Sequence, residues 1–514
     1  MNPSEKPPQL FRRQFLLSPD SDARVAGWHA RSLRRYGKVF VHPDLPVTQR
    51  STAALELTLL GFAVDPRNAN STDAEILEAM MMRAKSARDV LKLSAILGGR
   101  WVLIAIDPQS GLLFTDPMGL REVYYLIGAE PWCASQFRHI AQPLGLEIDS
   151  TIRDGFMSSN YAREHPEYFW PGDLTPYREI KHLTPNHFLD LDTMLPERFW
   201  PDNQLPARSL AQCVDEAAPL FEGLLRGAHH RFPLALPITA GFDSRTILAA
   251  TRSFAKDVFH YTLRPHDMNS DHEDLEITGR LLRQLGLQHH QIRCPSATSR
   301  DFWTLYDESV SPAHTIASRL AEGLSQEYRP GHVSLSGHGS EIYRCFYYHG
   351  GNHPLAVDGT WLANKVGMRG VPGAEEVFGS WLKGAQSAAD SSGIMILDLF
   401  YWENRVGRWA ANGQAQWDIV HERFTPSNCR VLLECMLSAD RLNRLAPHYR
   451  LNQRLIRALW PELLRIPFNP NSAPTQEWHR SYSSRARKLI SNSLRRIGLL
   501  PAAKLVARSL RDVP

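Results

Sequence analysis

The fold of this chain is decided by nine consecutive residues, Pro237-Ile238-Thr239-Ala240-Gly241-Phe242-Asp243-Ser244-Arg245. The apolar residues before them, 234–238, predict a short buried strand, and residues 246–251 after them predict the first turns of a helix. Small and hydroxyl-bearing residues in the turn let backbone N–H groups and a helix N-terminus converge on one anion. The stretch therefore predicts a phosphate- or pyrophosphate-binding loop, with Asp243 as an oxygen ligand for Mg²⁺.

The loop differs from the two common phosphate-binding fingerprints. It lacks the Gly-Lys-Ser/Thr ending of a Walker loop and the three-glycine spacing of a dinucleotide-binding fold. A plain strand–helix turn, with Asp243 or Ser244 near a helix cap position, is the alternative interpretation of the same residues.

The stretch resembles the pyrophosphate loop, Ser-Gly-Gly-x-Asp-Ser, of the asparagine synthetase and β-lactam synthetase superfamily. Thr239 and Ala240 replace the first Ser and the first Gly, while Gly241, Asp243 and Ser244 match. The Thr keeps a hydroxyl, and the Ala adds a methyl where the backbone approaches phosphate. The resemblance implies that these five residues bind the pyrophosphate of ATP, with Asp243 also holding Mg²⁺.

A second segment, Ser336-Gly337-His338-Gly339-Ser340-Glu341, follows a predicted strand at 332–335. It is similar to the family's second loop, Ser-Gly-x-Gly-x-Asp-Glu, which closes over the acyl-adenylate. The resemblance implies that Ser336, Gly337 and Gly339 contact the nucleotide and that Glu341 is the second Mg²⁺ ligand, whereas Ile342 stands where the family has Glu. A glycine hairpin turn would explain this segment alone, but both segments in the family's order favour a pair of loops.

The residues between the two loops fit the same family. The strand predicted at 259–263 would line the adenine site, with Thr262 as its contact, as the resemblance implies. Four acidic residues then lead into a helix predicted at 277–285: Asp271, Glu273, Asp274 and Glu276. Carboxylates also favour the first turn of any helix, so contact between these acids and the site stays open.

Residues 98–135 carry a third resemblance. A strand at 98–107, a hairpin turn at 108–111 and a return strand at 112–116 are predicted. Their order resembles the glutaminase domain of asparagine synthetases over residues 55–148. The fold class implied is α/β: an N-terminal α+β sandwich of the N-terminal-nucleophile type, then a parallel-sheet, pyrophosphate-loop ATP-binding synthetase domain with a helical C-terminal part.

We expect the chain to lack the nucleophile that such a glutaminase uses. It begins Met1-Asn2-Pro3, and its first cysteine is Cys133. The mechanism needs Cys as the first mature residue, where the α-amino group activates the thiol. We therefore expect glutamine hydrolysis to be lost, ammonia or an amine to be the nitrogen donor, and Cys133 to pack as a small buried residue in a strand.

The turn-rich stretch 199–206 predicts a boundary between two domains. The predicted units are a degenerate glutamine amidotransferase-like domain (1–200), a synthetase-like domain (208–478) and a basic amphipathic tail (479–514). Residues 480–514 carry nine Lys and Arg against one Asp. The tail is expected either to contact an anionic surface or an acidic partner, or to form a helix with a solvated basic face.

Composition favours a large cytoplasmic enzyme. At 514 residues and 43% hydrophobic, the chain is long enough for two or three cores. Its six cysteines lack paired spacing, and neither a signal-peptide pattern nor a run of about 18 apolar residues is present. Because the tail lacks interleaved aromatic residues, no nucleic-acid partner is expected. The oligomeric state is open, with a homodimer as one arrangement.

The leading functional prediction is an ATP-dependent, AMP-forming amide ligase. A carboxylate, aspartate by default or an acid on a small molecule, peptide or saccharide, would be adenylated, and ammonia or an amine would then displace AMP. Relatives have a catalytic Lys near the position of 463–469, and Arg344 and Arg465 are the candidate catalytic residues here. Two alternatives are a non-catalytic nucleotide-binding scaffold or regulator, and an enzyme that activates a base or carbonyl of nucleic acid.

Overall fold

Three β-sheets organise the chain in a computed structural model that describes residues 10–20, 25–348 and 356–468. Two six-stranded sheets are antiparallel and one five-stranded sheet is parallel, so the predicted mixed α/β class is confirmed. The predicted basic tail, 479–514, lies outside the described residues. Within the described part, no helix is both long and apolar enough to cross a membrane.

The first lobe contains the two antiparallel sheets, with strand orders β10-β8-β9-β1-β3-β2 and β12-β11-β7-β6-β5-β4. Its strands are β1 (Phe15–Ser18), β2 (His29–Leu33), β3 (Gly37–Val41), β4 (Val47–Ser51), β5 (Glu56–Val64), β6 (Gly98–Ile106), β7 (Gly111–Thr115), β8 (Tyr124–Leu126), β9 (Cys133–Ala134), β10 (Ile180–His182), β11 (His187–Asp190) and β12 (Pro196–Arg198). Its helices are α1 (Asp73–Arg83), α2 (Ala87–Leu93), α3 (Phe137–Leu144), α4 (Ser150–Met157) and α5 (Asn160–Glu164).

The two antiparallel sheets pack face to face around an aliphatic core that includes Leu17, Val102 and Val123. Helices α1 and α2 cover the outer face of the second sheet, and α3 covers the outer face of the first. Because both faces of the second sheet are covered, all nine residues of β5 and all nine of β6 are buried. The sandwich predicted from the sequence is therefore present in its broad form.

The second lobe contains the parallel sheet, with strand order β15-β14-β13-β16-β17. The strands are β13 (Leu234–Pro237), β14 (Phe259–Arg264), β15 (His290–Arg293), β16 (Val333–Leu335) and β17 (Arg423–Phe424). The helices are α6 (Leu210–Arg231), α7 (Phe242–Ala250), α8 (Glu273–Gln284), α9 (Arg300–Ser309), α10 (Thr315–Glu327), α11 (Gly359–Lys365), α12 (Ala374–Ser392), α13 (Ile396–Phe400), a π-helix (Tyr401–Ala410), α14 (Ala411–Trp417), α15 (Arg430–Leu437), α16 (Arg441–Arg444) and α17 (Arg450–Leu459).

The order of the parallel strands creates a switch point between β13 and β16. From β13 the chain adds β14 and β15 on one side, and it then returns to place β16 and β17 on the other side. In open α/β sheets, ligands bind in the crevice outside the carboxyl ends of the strands at such a point. The two loops predicted from the sequence follow these two strands, so both emerge at this crevice.

A buried ionic network, Arg100, Arg121, Asp418 and Glu422, joins the two lobes. Arg100 binds both carboxylate oxygens of Asp418, at 2.5 and 2.8 Å, and Arg121 lies 2.7 Å from Glu422. The antiparallel sheets are complete by Arg198 and the parallel sheet starts at Leu234, yet the chain to Phe468 forms one compact unit. The predicted domain limits, 1–200 and 208–478, therefore stay predictions.

Candidate active site

The first predicted loop connects β13 to α7, as the sequence pattern predicts. Gly241 is the N-cap of α7 and has no side chain with which to accept the free N–H groups of the first turn. Ser244 closes the loop from inside the helix, since its hydroxyl accepts a hydrogen bond from Thr239 N–H at 3.1 Å. A hydrogen bond inside the loop thus stabilises the turn, and the backbone N–H groups of the first helical turn stay available to an anion.

Ala240 connects the first loop to the hydrophobic core and to the acidic segment. Its methyl group is fully buried in the hydrophobic core, and its N–H donates to Asp274 Oδ1 at 2.7 Å. An anionic oxygen therefore already occupies one donor of the loop. Asp274 comes from the acidic segment whose contact with the site the sequence left open.

Thr262 supports the same loop from the neighbouring strand β14. Its hydroxyl donates to Ile238 O at 2.8 Å and lies 2.8 Å from His289 Nε2. Both partners of this hydroxyl are groups of the protein itself, and Thr262 is buried. The geometry makes Thr262 a support of the loop, while its predicted contact with adenine stays a prediction.

The second loop, 336–339, follows β16 and leads into a single turn of 3₁₀-helix, Ser340–Arg344. A Cβ atom at Gly337 would lie 2.7 Å from Asp243 Cβ, so glycine is needed for the two loops to approach each other. Gly339 has φ +85°, and a Cβ there would lie 2.4 Å from Met118 Cε of the first lobe. Both glycines of the motif therefore have a steric reason.

Asp243, Glu341 and Arg344 meet where the two loops touch. One nitrogen of Arg344, Nη2, lies 3.1 Å from Asp243 Oδ2 and 3.0 Å from Glu341 Oε1. The Ser340 hydroxyl donates to the other oxygen of Asp243. Burial raises the pKa of Glu341 against the opposing charge of Arg344, whereas Asp243 and Glu341 outweigh burial and raise the pKa of Arg344. A single guanidinium nitrogen thus bridges both predicted metal ligands.

The donor set at this point fits Mg²⁺ that arrives with a nucleotide. In the described residues, no group of three or more His, Cys, Asp and Glu side chains gathers as a metal site. Asp243 and Glu341 supply two carboxylates, and Mg²⁺ is commonly bound by one or two carboxylates together with phosphate oxygens and water. The two carboxylates would hold the ion when Arg344 releases them.

The two predicted catalytic cations have different positions. Arg344 lies in the site, with its side chain 12% exposed. Arg465 is exposed at the end of a 3₁₀-turn, Pro461–Arg465. The adjoining backbone is nevertheless tied to the first loop, because buried Arg245 of α7 donates to Ile466 O at 2.6 Å. The catalytic roles of both arginines stay predictions.

Sequence reasoning missed the side chains that line the second loop. The Gln414 amide lies 3.2 Å from Ser336 Oγ, and the Trp409 ring is 5.3 Å from the His338 ring. Burial, helped by Arg423 and Arg405, lowers the pKa of His338 to about 3, so this imidazole is neutral at pH 7. The long run of aromatic and polar residues at 401–417 was the only sequence signal for these contacts.

Cys133 has the packing role expected from the sequence. It lies in β9 and is fully buried, and burial raises the pKa of its thiol. A thiol of this kind is a poor nucleophile because the reactive form is the thiolate.

Comparisons with known proteins add limited information. No family model matches the chain, and no curated protein matches it. One similar solved structure is that of the allosteric regulatory enzyme of purine biosynthesis, at 12% identity and TM-score 0.23 over 61% of this chain and 74% of that chain. Another is glutamine phosphoribosylpyrophosphate amidotransferase from B. subtilis with ADP and GMP, at 12% identity and TM-score 0.20 over 60% and 63%. At TM-scores below 0.5 we infer neither fold nor function from them.

Proposed function

We propose that the chain is an ATP-dependent, AMP-forming amide ligase of the asparagine synthetase-like type. The observation that supports this most is the meeting of two loops at the switch point of the parallel sheet. There, Asp243 and Glu341 face one position that a cation already fills. Carboxylates around a shared cation, beside a helix N-terminus, suit the binding of a metal–nucleotide complex.

In the proposed first step, the pyrophosphate of ATP binds the loop 239–244 and the N-terminus of α7. A substrate carboxylate attacks the α-phosphorus, the bond to the β-phosphate oxygen breaks, and pyrophosphate leaves. Mg²⁺ bound by Asp243 and Glu341 would neutralise charge on the phosphates. The side chain of Arg344, freed from those carboxylates, would lie beside the leaving pyrophosphate, where a fixed positive charge stabilises the transition state.

In the proposed second step, ammonia or an amine attacks the acyl carbon of the adenylate. The amide bond forms, AMP leaves with the bonding electron pair, and the nitrogen loses a proton. The imidazole of His338 lies in the second loop, but burial lowers its pKa to about 3, which makes it too weak a base for that proton, so the proton passes to water. Aspartate is the first carboxylate to test, followed by acids on peptides and saccharides.

A second candidate is a nucleotide-binding scaffold or regulator without turnover. The double ion pair of Arg344 favours it, because this contact neutralises both carboxylates without a metal. If Arg344 never releases them, ATP could bind without Mg²⁺ and without reaction.

The deciding experiment measures pyrophosphate release from ATP and Mg²⁺ over a panel of carboxylates, with ammonium or glutamine. The test variant is Asp243→Ala, and the matched control is Asp215→Ala, an exposed acid on α6. Release that depends on a carboxylate and is lost only in the Asp243 variant would support the ligase. Binding of ATP without release for any acid would favour the scaffold, and absence of ATP binding would contradict both.

A further inference from the structure

Cys213 and Cys435 face each other across the contact between α6 and α15, and the proposed ligase chemistry uses neither thiol. The Cys213 thiol donates to Cys435 O at 3.4 Å, and the Cys435 thiol donates to Cys213 O at 3.4 Å. Because a carbonyl oxygen lies about 2.4 Å from its own Cα, each sulfur is within about 6 Å of the Cα of the other cysteine. This reciprocal approach directs the two side chains towards each other, as a disulfide requires.

Hydrogen bonds beside the two cysteines fix how α6 lies on α15. The backbone N–H of Arg208, just before α6, donates to Ser438 O at 3.1 Å, and Arg208 Nη1 lies 2.9 Å from Ser438 Oγ. Ser438 is the C-cap of α15. Since these bonds hold the start of α6 on the end of α15, the two thiols stay close to each other in the folded protein.

The two thiols differ in acidity, as an attacking and a resolving thiol should. A hydrogen bond with the Cys435 thiol lowers the pKa of Cys213, whereas the same contact and burial raise the pKa of Cys435. Burial raises the pKa of the four other cysteines of the chain, all of them within the described residues: Cys133, Cys294, Cys345 and Cys429. Because the thiolate is the reactive form, Cys213 is the cysteine best suited to attack an oxidant.

An oxidant can reach this pair from the start of α6. Cys213 is fully buried, but it is only the fourth residue of the helix, and residues 211, 212, 215 and 216 around it are exposed. The terminal turns of a helix open locally more often than its centre does. A small molecule therefore needs only a local opening, and not global unfolding, to meet the Cys213 sulfur.

We propose that Cys213 and Cys435 are a redox modification site that forms a reversible intramolecular disulfide, with a small-molecule disulfide as the oxidant. The Cys213 thiolate attacks one sulfur of the oxidant, which forms a mixed disulfide and releases one small thiolate. The Cys435 thiolate then attacks the Cys213 sulfur, the bond to the small thiol breaks, and a second small thiolate leaves. The two protons of the protein thiols end on these thiolates, so two protein thiols are oxidised and one small disulfide is reduced.

The disulfide links two segments that adjoin the paired loops. Helix α6 leads directly into β13 and the first loop, and α15 packs against the 3₁₀-turn that carries Glu341 and Arg344. Oxidation thus braces the protein next to the candidate active site. The chemistry of the thiols is separate from that of the loops, so this inference does not depend on the proposed function.

The test is mass spectrometry of the full chain after incubation with oxidised glutathione under native conditions. Free thiols are then alkylated with iodoacetamide, and the protein is cut with trypsin. Cys213 and Cys435 lie on separate peptides, 209–226 and 431–441, and Cys429 lies on a third, 424–430. We expect the first two peptides to be joined, with the loss of two hydrogen atoms in mass, and the other four cysteines to be alkylated. Dithiothreitol should separate the joined peptides again.

The test variant is Cys435→Ser, because a serine hydroxyl can still donate to the Cys213 carbonyl oxygen. The matched control is Cys294→Ser, which removes another buried thiol. The joined peptide should be lost in Cys435→Ser, where Cys213 should keep glutathione as a mixed disulfide, and it should persist in Cys294→Ser.

Thermal unfolding gives a second measurement, since a link between residues 222 positions apart restricts the unfolded chain. Oxidation should raise the unfolding temperature of the wild-type protein by about 5 °C and leave that of Cys435→Ser unchanged. Full alkylation of both cysteines after oxidation, a mixed disulfide on wild-type Cys213 that never closes, or linkage of either residue to another cysteine would overturn the proposal. A link that forms only in urea would also overturn it, because that link would belong to the unfolded chain.

Discussion

Two clusters in this chain combine arginine with one Asp and one Glu, and their contacts have different geometries. In the lobe-joining network, Arg100 and Arg121 are 2% exposed, and Arg100 binds Asp418 through two nitrogens. At the paired loops, one nitrogen of Arg344 serves two carboxylates that are 21% and 30% exposed. The first arrangement uses the fork geometry of arginine fully, and the second does not.

This difference in exposure and geometry distinguishes an ion pair that stabilises the fold from one that lies in a candidate active site. Removing either partner of a buried, bidentate pair lowers the stability of the protein strongly, because an uncompensated charge stays inside it. A partly exposed, shared contact costs less to open, since water and an incoming ion can replace it. The predictions below apply this distinction to individual residues.

The largest effect is expected for Arg100→Ala. The substitution leaves Asp418 and part of Glu422 without a cation in a buried place, which should lower the free energy of unfolding by about 3–5 kcal/mol. Urea denaturation of purified protein measures it, with Arg226→Ala, an exposed residue on α6, as the control. A loss below about 1 kcal/mol would show that the network is as replaceable as a surface pair.

A buried carboxylate without an arginine fork should respond to pH in the opposite way to Glu422, for which burial raises the pKa but the charges of Arg121 and Arg100 lower it more. Burial raises the pKa of Glu122 to about 7, although Arg408 and the Tyr124 hydroxyl oppose this. The folded protein then holds a proton that the unfolded chain releases near pH 4.5. The free energy of unfolding should therefore fall by about 3 kcal/mol as pH rises from about 4.5 to about 7.

Urea unfolding at a series of pH values tests this prediction in the wild-type protein and in Glu122→Gln. The variant should lose that part of the slope, while Glu222→Gln, exposed on α6, should keep it. The same slope in both variants would assign the pH dependence to another group.

A smaller effect is expected for Arg344→Gln. Asp243 and Glu341 would lose their shared cation, but both are partly exposed, so the free energy of unfolding should fall by only about 1–2 kcal/mol. Mg²⁺ should restore this loss in the variant and change the wild-type protein little, because the ion fills the position that Arg344 leaves. Thermal unfolding with Mg²⁺ and with EDTA measures both, and a variant insensitive to Mg²⁺ would contradict the shared position.

The smallest effect is expected for the surface pair Arg88–Glu197. The two side chains are 59% and 50% exposed, and Arg88 Nη2 lies 3.2 Å from Glu197 Oε2. Arg88→Ala should change the free energy of unfolding by about 0–1 kcal/mol. If its urea midpoint moved as far as that of Arg100→Ala, exposure would not be the property that separates the two kinds of pair.

Local features of the site could be predicted from the sequence because they depend on neighbouring residues. The strand–loop–helix around Gly241 follows from an apolar run, small turn residues and a helical pattern. Gly337 and Gly339 were identified by their spacing, and the structure supplies the reason, which is close approach and a left-handed φ. The buried position of Cys133 follows in the same way from its apolar strand.

Features that depend on strand order could not be predicted. Arg344 reaches Asp243 because β16 lies beside β13, and strand order is not written in either loop. The pairing of Ala240 with Asp274 likewise needs α8 to begin next to the first loop. Arg465, chosen for its position along the chain, is exposed, whereas its neighbours Leu463 and Ile466 are buried and Phe468 stacks on Phe242 of α7 at 3.9 Å.

The contact between Met118 and Gly339 makes the second loop depend on the first lobe. The tip of a turn in the first lobe fills the space that the left-handed glycine leaves in the second loop. Asn428 fastens the same turn by accepting from Met118 N–H at 2.8 Å. Packing against the first lobe therefore helps to hold the conformation of this loop in the second lobe. A variant without this lobe would leave the second loop without its packing partner at Gly339.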